Sequence, residues 1–164
     1  MPSAPKPLHP DILAFLRLGL SIHVGACDAA GLPQLTRALA LRVPDGRRIA
    51  LLLPRLPAAP LLDAVRHSAQ VAMVVCQPTT HRTLQIKGGE ARVVPAAAAD
   101  WPQLAANHQA FTREIEPFGF DAAFANAWFG APADSLLSVE FTPSGAWNQT
   151  PGPGAGSPVE LAAP

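Results

Sequence analysis

Charge is scarce in this chain and cancels: 12 Lys plus Arg and 12 Asp plus Glu leave no formal net charge over 164 residues. Without a basic stripe there is no electrostatic footprint for a phosphate backbone or an anionic membrane surface, so nucleic acid and membrane are not expected partners. Cysteine is nearly absent. Cys27 and Cys76 stand far apart, with no CxxC and no histidine pair nearby, which fits neither a zinc site nor a disulfide framework. Reduced, buried thiols are the expectation. No stretch of about twenty uninterrupted apolar residues occurs, and the proline-rich start has no apolar run of signal length, so a cytoplasmic protein is expected. Motifs of hydrolytic and nucleotide chemistry are missing too. There is no Gly-x-Ser-x-Gly elbow, and the glycines from Gly152 to Gly156 lack the Lys-Ser/Thr of a phosphate-binding loop. His23, His67, His81 and His108 fall on separate predicted elements without ligand spacing, so they read as surface or hydrogen-bonded histidines and no metal site is expected.

What is present is a succession of short patterned segments. Asp11 suits the positive end of a helix whose apolar residues Ile12, Phe15 and Leu16 repeat at helical spacing, with Gly19 as its stop. From Leu20 the period becomes two, with Leu20, Ile22, Val24 and Ala26 facing one way and Ser21, His23, Gly25 and Cys27 the other. Turn chemistry at Asp28 to Gly31 and at Pro44-Asp45-Gly46 separates two further strands, Gln34 to Val43 and Arg48 to Leu53. Three strands joined by short turns predict an antiparallel meander. A helix over Ala58 to His67 and a buried strand over Gln70 to Gln77 follow.

The segment from Pro78 to Val94 reads as a turn entering one long strand, Arg82 to Val94, whose Gly88-Gly89 pair marks a bulge where a barrel curves. Two helices, one ending at Arg113 and one over Asp121 to Phe129, precede a last strand over Leu136 to Phe141; their aromatics are expected to pack the helices on the barrel or on a twin subunit. So many short turns exclude a parallel α/β sheet. The expected fold is mainly β, a Greek-key barrel with peripheral helices, over residues 11–142, preceded by an extension, 1–10, and followed by a Gly/Pro-rich tail, 143–164.

Among candidate site residues Arg37 stands out. In Thr36-Arg37-Ala38-Leu39-Ala40-Leu41-Arg42 it alternates onto the face of Leu35, Leu39 and Leu41, and a guanidinium there needs a partner. Either it reaches solvent or a carboxylate from a strand end, or its planar fork takes a phosphate.

This pattern of Arg, alternating apolar residues and a second basic residue, together with the glycine-broken long strand, resembles the pyridoxamine 5'-phosphate oxidase-like split β-barrels. The resemblance covers roughly residues 11–142. It implies a homodimeric split barrel that binds FMN at the subunit interface and performs redox chemistry on a small molecule. A deazaflavin or haem is the alternative cofactor, and a non-catalytic haem- or flavin-binding module on the same fold the alternative function. By carry-over Arg37 contacts the FMN phosphate, Ala38 and Leu39 line the ring, and Leu53 and Arg55 border the phosphate site. Thr83 and Gln85 meet the flavin from the long strand, while Trp147 either reaches it across the dimer interface or caps the core edge. Three departures qualify the activity. The family's phosphate-site lysine is absent, with Arg55 its candidate substitute. Thr83 stands where the family has glutamine. The substrate-binding Arg-x-x-x-Leu-x-Pro ending is missing, so authentic pyridoxamine-phosphate oxidation is not expected.

Overall fold

The computed structural model describes residues 6–130 and 135–162. Helix α1, Pro10–Leu16, opens on His9, whose Nδ1 accepts from the Asp11 amide at 3.2 Å, and it buries Ile12, Phe15 and Leu16. There follow β1 (Ser21–Cys27), β2 (Pro33–Ala38), β3 (Ala40–Arg42), β4 (Ile49–Pro54), α2 (Ala59–Ser68), β5 (Val71–Cys76) and β6 (Thr83–Pro95). Helix α3 (Asp100–Ile115), a 3₁₀ turn at Glu116–Phe118, α4 (Ala122–Phe129), β7 (Leu136–Asn148) and β8 (Pro158–Val159) complete the described chain.

The strands form one antiparallel sheet in the order β2-β1-β5-β6-β7-β4-β3, with β8 added alongside β7. Its two ends, β2 and β3, are neighbours in sequence separated only by Leu39, so the sheet curls back on itself. The result is the mainly β split barrel that the element order predicts. Sequence alternation reads Gln34 to Val43 as one strand, and here the structure differs. At Leu39 the run leaves β1 and joins β4, and the break is satisfied on both sides. The Leu39 amide donates to the Leu52 carbonyl at 2.8 Å, and the Leu39 carbonyl accepts from Nδ2 of buried Asn107, on α3, at 3.0 Å. A buried backbone group must find such a partner, and a tertiary one suffices.

Inside the curl lie Ile22, Val24, Leu51, Leu53, Met73, Val75, Ile86, Val139 and Phe141. A second apolar cluster, with Leu39, Leu52, Phe111, Ile115, Phe129 and Leu136, holds α3 and α4 against the outside of the barrel. This explains why β4 is apolar at every position from Ile49 to Leu53: odd residues face the barrel interior and Leu52 faces the helices. The Gly88-Gly89 pair does sit at a bulge, where the β6–β7 register shifts. A Cβ on Gly88 would lie 2.3 Å from the Thr142 carbonyl oxygen, so only glycine permits the approach.

The last strand extends past its predicted end at Phe141 to Asn148, and β8 pairs with Ala146 and Trp147. Pairing with β6 supplies the backbone hydrogen bonds that composition alone disfavours. Val159 and Leu161 pack on the main core, and Leu8 bridges to Ala162.

Candidate functional site

Because directly paired residues share a face of the sheet, the register places Arg37, His23, Val74, Gln85 and Trp147 in one row on the outer surface, across β2, β1, β5, β6 and β7. Thr83 lies on the same face, opposite Cys76, which pairs in turn with Ser21. Four strand spacings of about 4.8 Å, roughly 19 Å measured along the curled sheet, separate Arg37 from Trp147 in one protomer.

Arg37 occupies the β2 end. Its Nη2 donates to the Trp128 carbonyl oxygen at 3.0 Å, and its guanidinium carbon lies 3.5 Å from the centroid of the Trp128 ring. Nε of Arg37 is enclosed and has no hydrogen-bond partner among the described residues. Burial lowers the Arg37 pKa from its ordinary value. Beside the pair is a cleft of about 300 Å³ bordered by Thr36, Arg37, Leu39, Leu56, Pro57 and Trp128.

His23, directly across from Arg37, is exposed, and its pKa is lowered first by desolvation and second by the Arg37 charge. The neutral imidazole is thereby favoured. Gln85 is half-buried, and its Oε1 accepts from Gln149 at 3.5 Å. The Trp147 indole covers Gly145, where a Cβ would lie 2.6 Å from its Cη2, and Lys87 Nζ sits 4.9 Å from its centroid. The Thr83 hydroxyl donates to the His81 carbonyl at 2.9 Å.

Of the residues carried over by resemblance, the structure thus sets Arg37 and Leu39 at the cleft and Thr83, Gln85 and Trp147 on the outer face. Ala38 and Leu53 are buried in the barrel core, so they can offer a ligand their backbone but not their side chains. Arg55 is exposed and does not border the cleft, although Pro54 and Leu56 on either side of it do. Trp128 reads in the sequence as one of the aromatics that pack the helices, and its contact with Arg37, 91 positions away, has no local signal. Lys87 was legible by alternation with Thr83 and Gln85.

A roomier cleft of about 470 Å³ lies between α1 and β8, bordered by His9, Asp11, Arg82, Thr83, Asn148 and Glu160. It carries charges of both signs on exposed side chains. Among the described residues no group of three or more His, Cys, Asp and Glu is placed to hold a metal ion. Both cysteines are free, but Cys27 is exposed rather than buried, because its strand position faces outward. No helix among the described residues is long and apolar enough to cross a membrane.

No protein-family model matches the chain, and no curated protein does. Solved structures do. A candidate pyridoxamine 5'-phosphate oxidase from Lactobacillus delbrueckii aligns with TM-score 0.53 at 14% identity, covering 88% of this chain and 99% of that one. An F420 reductase aligns with TM-score 0.52 at 16% identity, covering 81% and 93%. HutZ, the haem storage protein from Vibrio cholerae, aligns with TM-score 0.50 at 17% identity, covering 87% and 94%. The chain has the pyridoxamine 5'-phosphate oxidase-like split-barrel fold. At these identities the likeness speaks for the barrel and its helices, and the chemistry of this split barrel rests on its own residues.

Proposed function

We propose that this split barrel is a cytoplasmic homodimer that binds FMN where two copies meet and carries out oxidoreduction of a small molecule. The observation that carries the reading is Arg37: a guanidinium whose Nε has no partner among the described residues, beside a cleft and at the end of an outward row containing Gln85 and Trp147. Its fork suits phosphate oxygens. Thr83, Gln85 and Trp147 then give a half-buried, partly aromatic surface for the ring. A second copy is needed because Arg37 and Trp147 stand four strands apart around the curled sheet of one protomer and so face different sides of it. The flavin supplies the electron chemistry, and the protein supplies binding and orientation.

The exposed His23 favours a second reading, haem bound without catalysis, since a neutral imidazole is a metal ligand. The likeness to HutZ and to an F420 reductase keeps haem and a deazaflavin as the alternative cofactors. The visible spectrum of the purified protein, taken before and after loading with FMN and desalting, decides between them. Retained oxidised-flavin bands support FMN. A Soret band after haem loading, with no retained flavin, supports haem, and a protein that retains neither defeats both.

A further inference from the structure

The turn that joins β5 to β6, Gln77 to Arg82, is tied to another element by one carboxylate. Oε1 of Glu114, in the last turn of α3, accepts from Nε2 of Gln77 at 2.9 Å. Oε2 accepts from the Thr79 amide at 3.1 Å and from the Thr79 hydroxyl at 2.5 Å. Among the described residues, every hydrogen bond of the Glu114 side chain goes to this turn. A carboxylate in the last turn of a helix meets the negative end of the helix dipole, so α3 itself gains nothing from Glu114 there. Desolvation raises the Glu114 pKa, but the bonds from Thr79 and Gln77 outweigh it and hold the group below the usual carboxylate value, as an ionised acceptor.

The contacts continue past the residues that Glu114 touches. The Gln77 side chain, held through its nitrogen, accepts through Oε1 from the Thr80 hydroxyl at 2.9 Å, and Thr80 Oγ1 accepts from the Arg82 amide at 3.2 Å. The Arg82 carbonyl accepts from the Gln77 backbone amide at 3.0 Å. Both backbone groups of Arg82 are thus fixed from within the turn, and its guanidinium carbon lies 4.3 Å from the centroid of the Phe15 ring, on α1. His81 has a φ of 57°, in the left-handed region that a residue other than glycine enters at a cost. Such a conformation persists where surrounding contacts over-determine it, and Glu114 supplies them. Arg82 and Thr83 border the cleft of about 470 Å³ between α1 and β8, and Glu114 does not.

We propose that Glu114 is a latch that holds the β5–β6 turn closed, with Arg82 seated on Phe15 at the edge of that cleft. Without the carboxylate the turn opens as a unit, Arg82 leaves Phe15 and the cleft widens at its β6 side, while the barrel keeps its fold. Glu114 is a positioning residue that acts through Gln77 and Thr80. The latch does not depend on what the barrel binds.

The test is amide hydrogen exchange of the full chain, followed by NMR in the wild type and in Glu114→Ala, which places a strong helix former on α3. The amides of His81 and Arg82 donate within the turn and not to Glu114. In the variant they are expected to exchange about tenfold faster or more, the worth of a lost hydrogen bond to a charged group, while Val24 and Met73 in the barrel core keep their rates. The Phe15 ring signals are expected to shift as the guanidinium leaves. Faster exchange at Thr79 alone is only the loss of its own acceptor and overturns the proposal. An equal acceleration at Val24 and Met73 overturns it too, since Glu114 would then be a contact of the whole fold. Phe15 signals that stay in place while the turn opens overturn the seating of Arg82 by the latch and the proposal with it. Should Glu114→Ala not fold, Glu114→Gln keeps the size and one acceptor oxygen; it is expected to speed His81 and Arg82 about threefold, and unchanged rates overturn the proposal.

Discussion

Nε of Arg42, on β3, lies 2.5 Å from Oδ1 of Asp100, the first residue of α3, and both side chains are largely buried. The other carboxylate oxygen of Asp100 accepts from the Ala97 amide at 2.6 Å, and Glu140 flanks the guanidinium at 3.7 Å. One carboxylate therefore pins α3 to the end of the sheet, and α3 in turn supplies the Asn107 side chain that caps the Leu39 break beside the cleft.

Replacing Asp100 with Ala is expected to cost about 3 kcal/mol, because it leaves a buried guanidinium short of its main partner and a backbone amide unpaired. Chemical denaturation measures it. The double variant Asp100→Ala, Arg42→Met should recover part of the loss, since a hydrophobic replacement of both partners removes the uncompensated charge. A loss below about 0.5 kcal/mol in the single variant, the level of an exposed ion pair, would show that the contact is dispensable.

His23 provides a charge probe of the outer row. Its folded pKa lies below the ordinary 6.5, through burial first and Arg37 second. The unfolded chain therefore binds the proton more readily, and this group's contribution to stability is complete above 6.5 and is lost as the pH falls from there through the folded value. In Arg37→Gln the second cause disappears. The His23 pKa followed by NMR should then rise towards 6.5 without fully reaching it, since burial persists. An unmoved value would mean that the two side chains do not sense each other.

Truncation after Thr150 removes β8 and the partly buried Val159 and Leu161. The Asn148 amide loses its acceptor at Ser157 and the Leu8–Ala162 bridge goes as well. A loss of about 2 kcal/mol is expected from the two aliphatic side chains alone, visible as a lower Tm. An unchanged Tm would show that the Gly/Pro-rich end rests on the barrel without supporting it.

The proposed dimer has a candidate contact on the outer face. Leu35 is 72% exposed, and it is paired across the sheet with Gly25 and then Ala72, small residues that leave room for a partner's side chains. Sedimentation is expected to give twice the chain mass. Leu35→Asp should weaken association tenfold or more while barely altering stability, because the residue is not part of the monomer core. A wild-type chain that remains monomeric at all concentrations would remove the shared site.

The split barrel was legible in the sequence because its causes are local. The alternation of Ile22, Val24 and Ala26, the turns at Asp28 and Asp45, and the Gly88-Gly89 interruption depend on residues within a few positions of one another. Alternation sets Arg37 on one face with Leu35, Leu39 and Leu41, but the break at Leu39 reverses the parity, so Leu41 enters the core while Arg37 and Leu35 face outward. Tertiary structure alone decided the rest. The strand from Gln34 to Val43 divides at Leu39 because Leu52 and Asn107, both distant in sequence, supply partners there. The extension of β7 to Asn148 depends on β6 for its hydrogen bonds. Trp128 reaches Arg37 only because α4 is fixed by the apolar cluster outside the barrel. A periodic pattern says which face a side chain takes, whereas the identity of what it meets on that face is set by long-range packing, which no local pattern encodes.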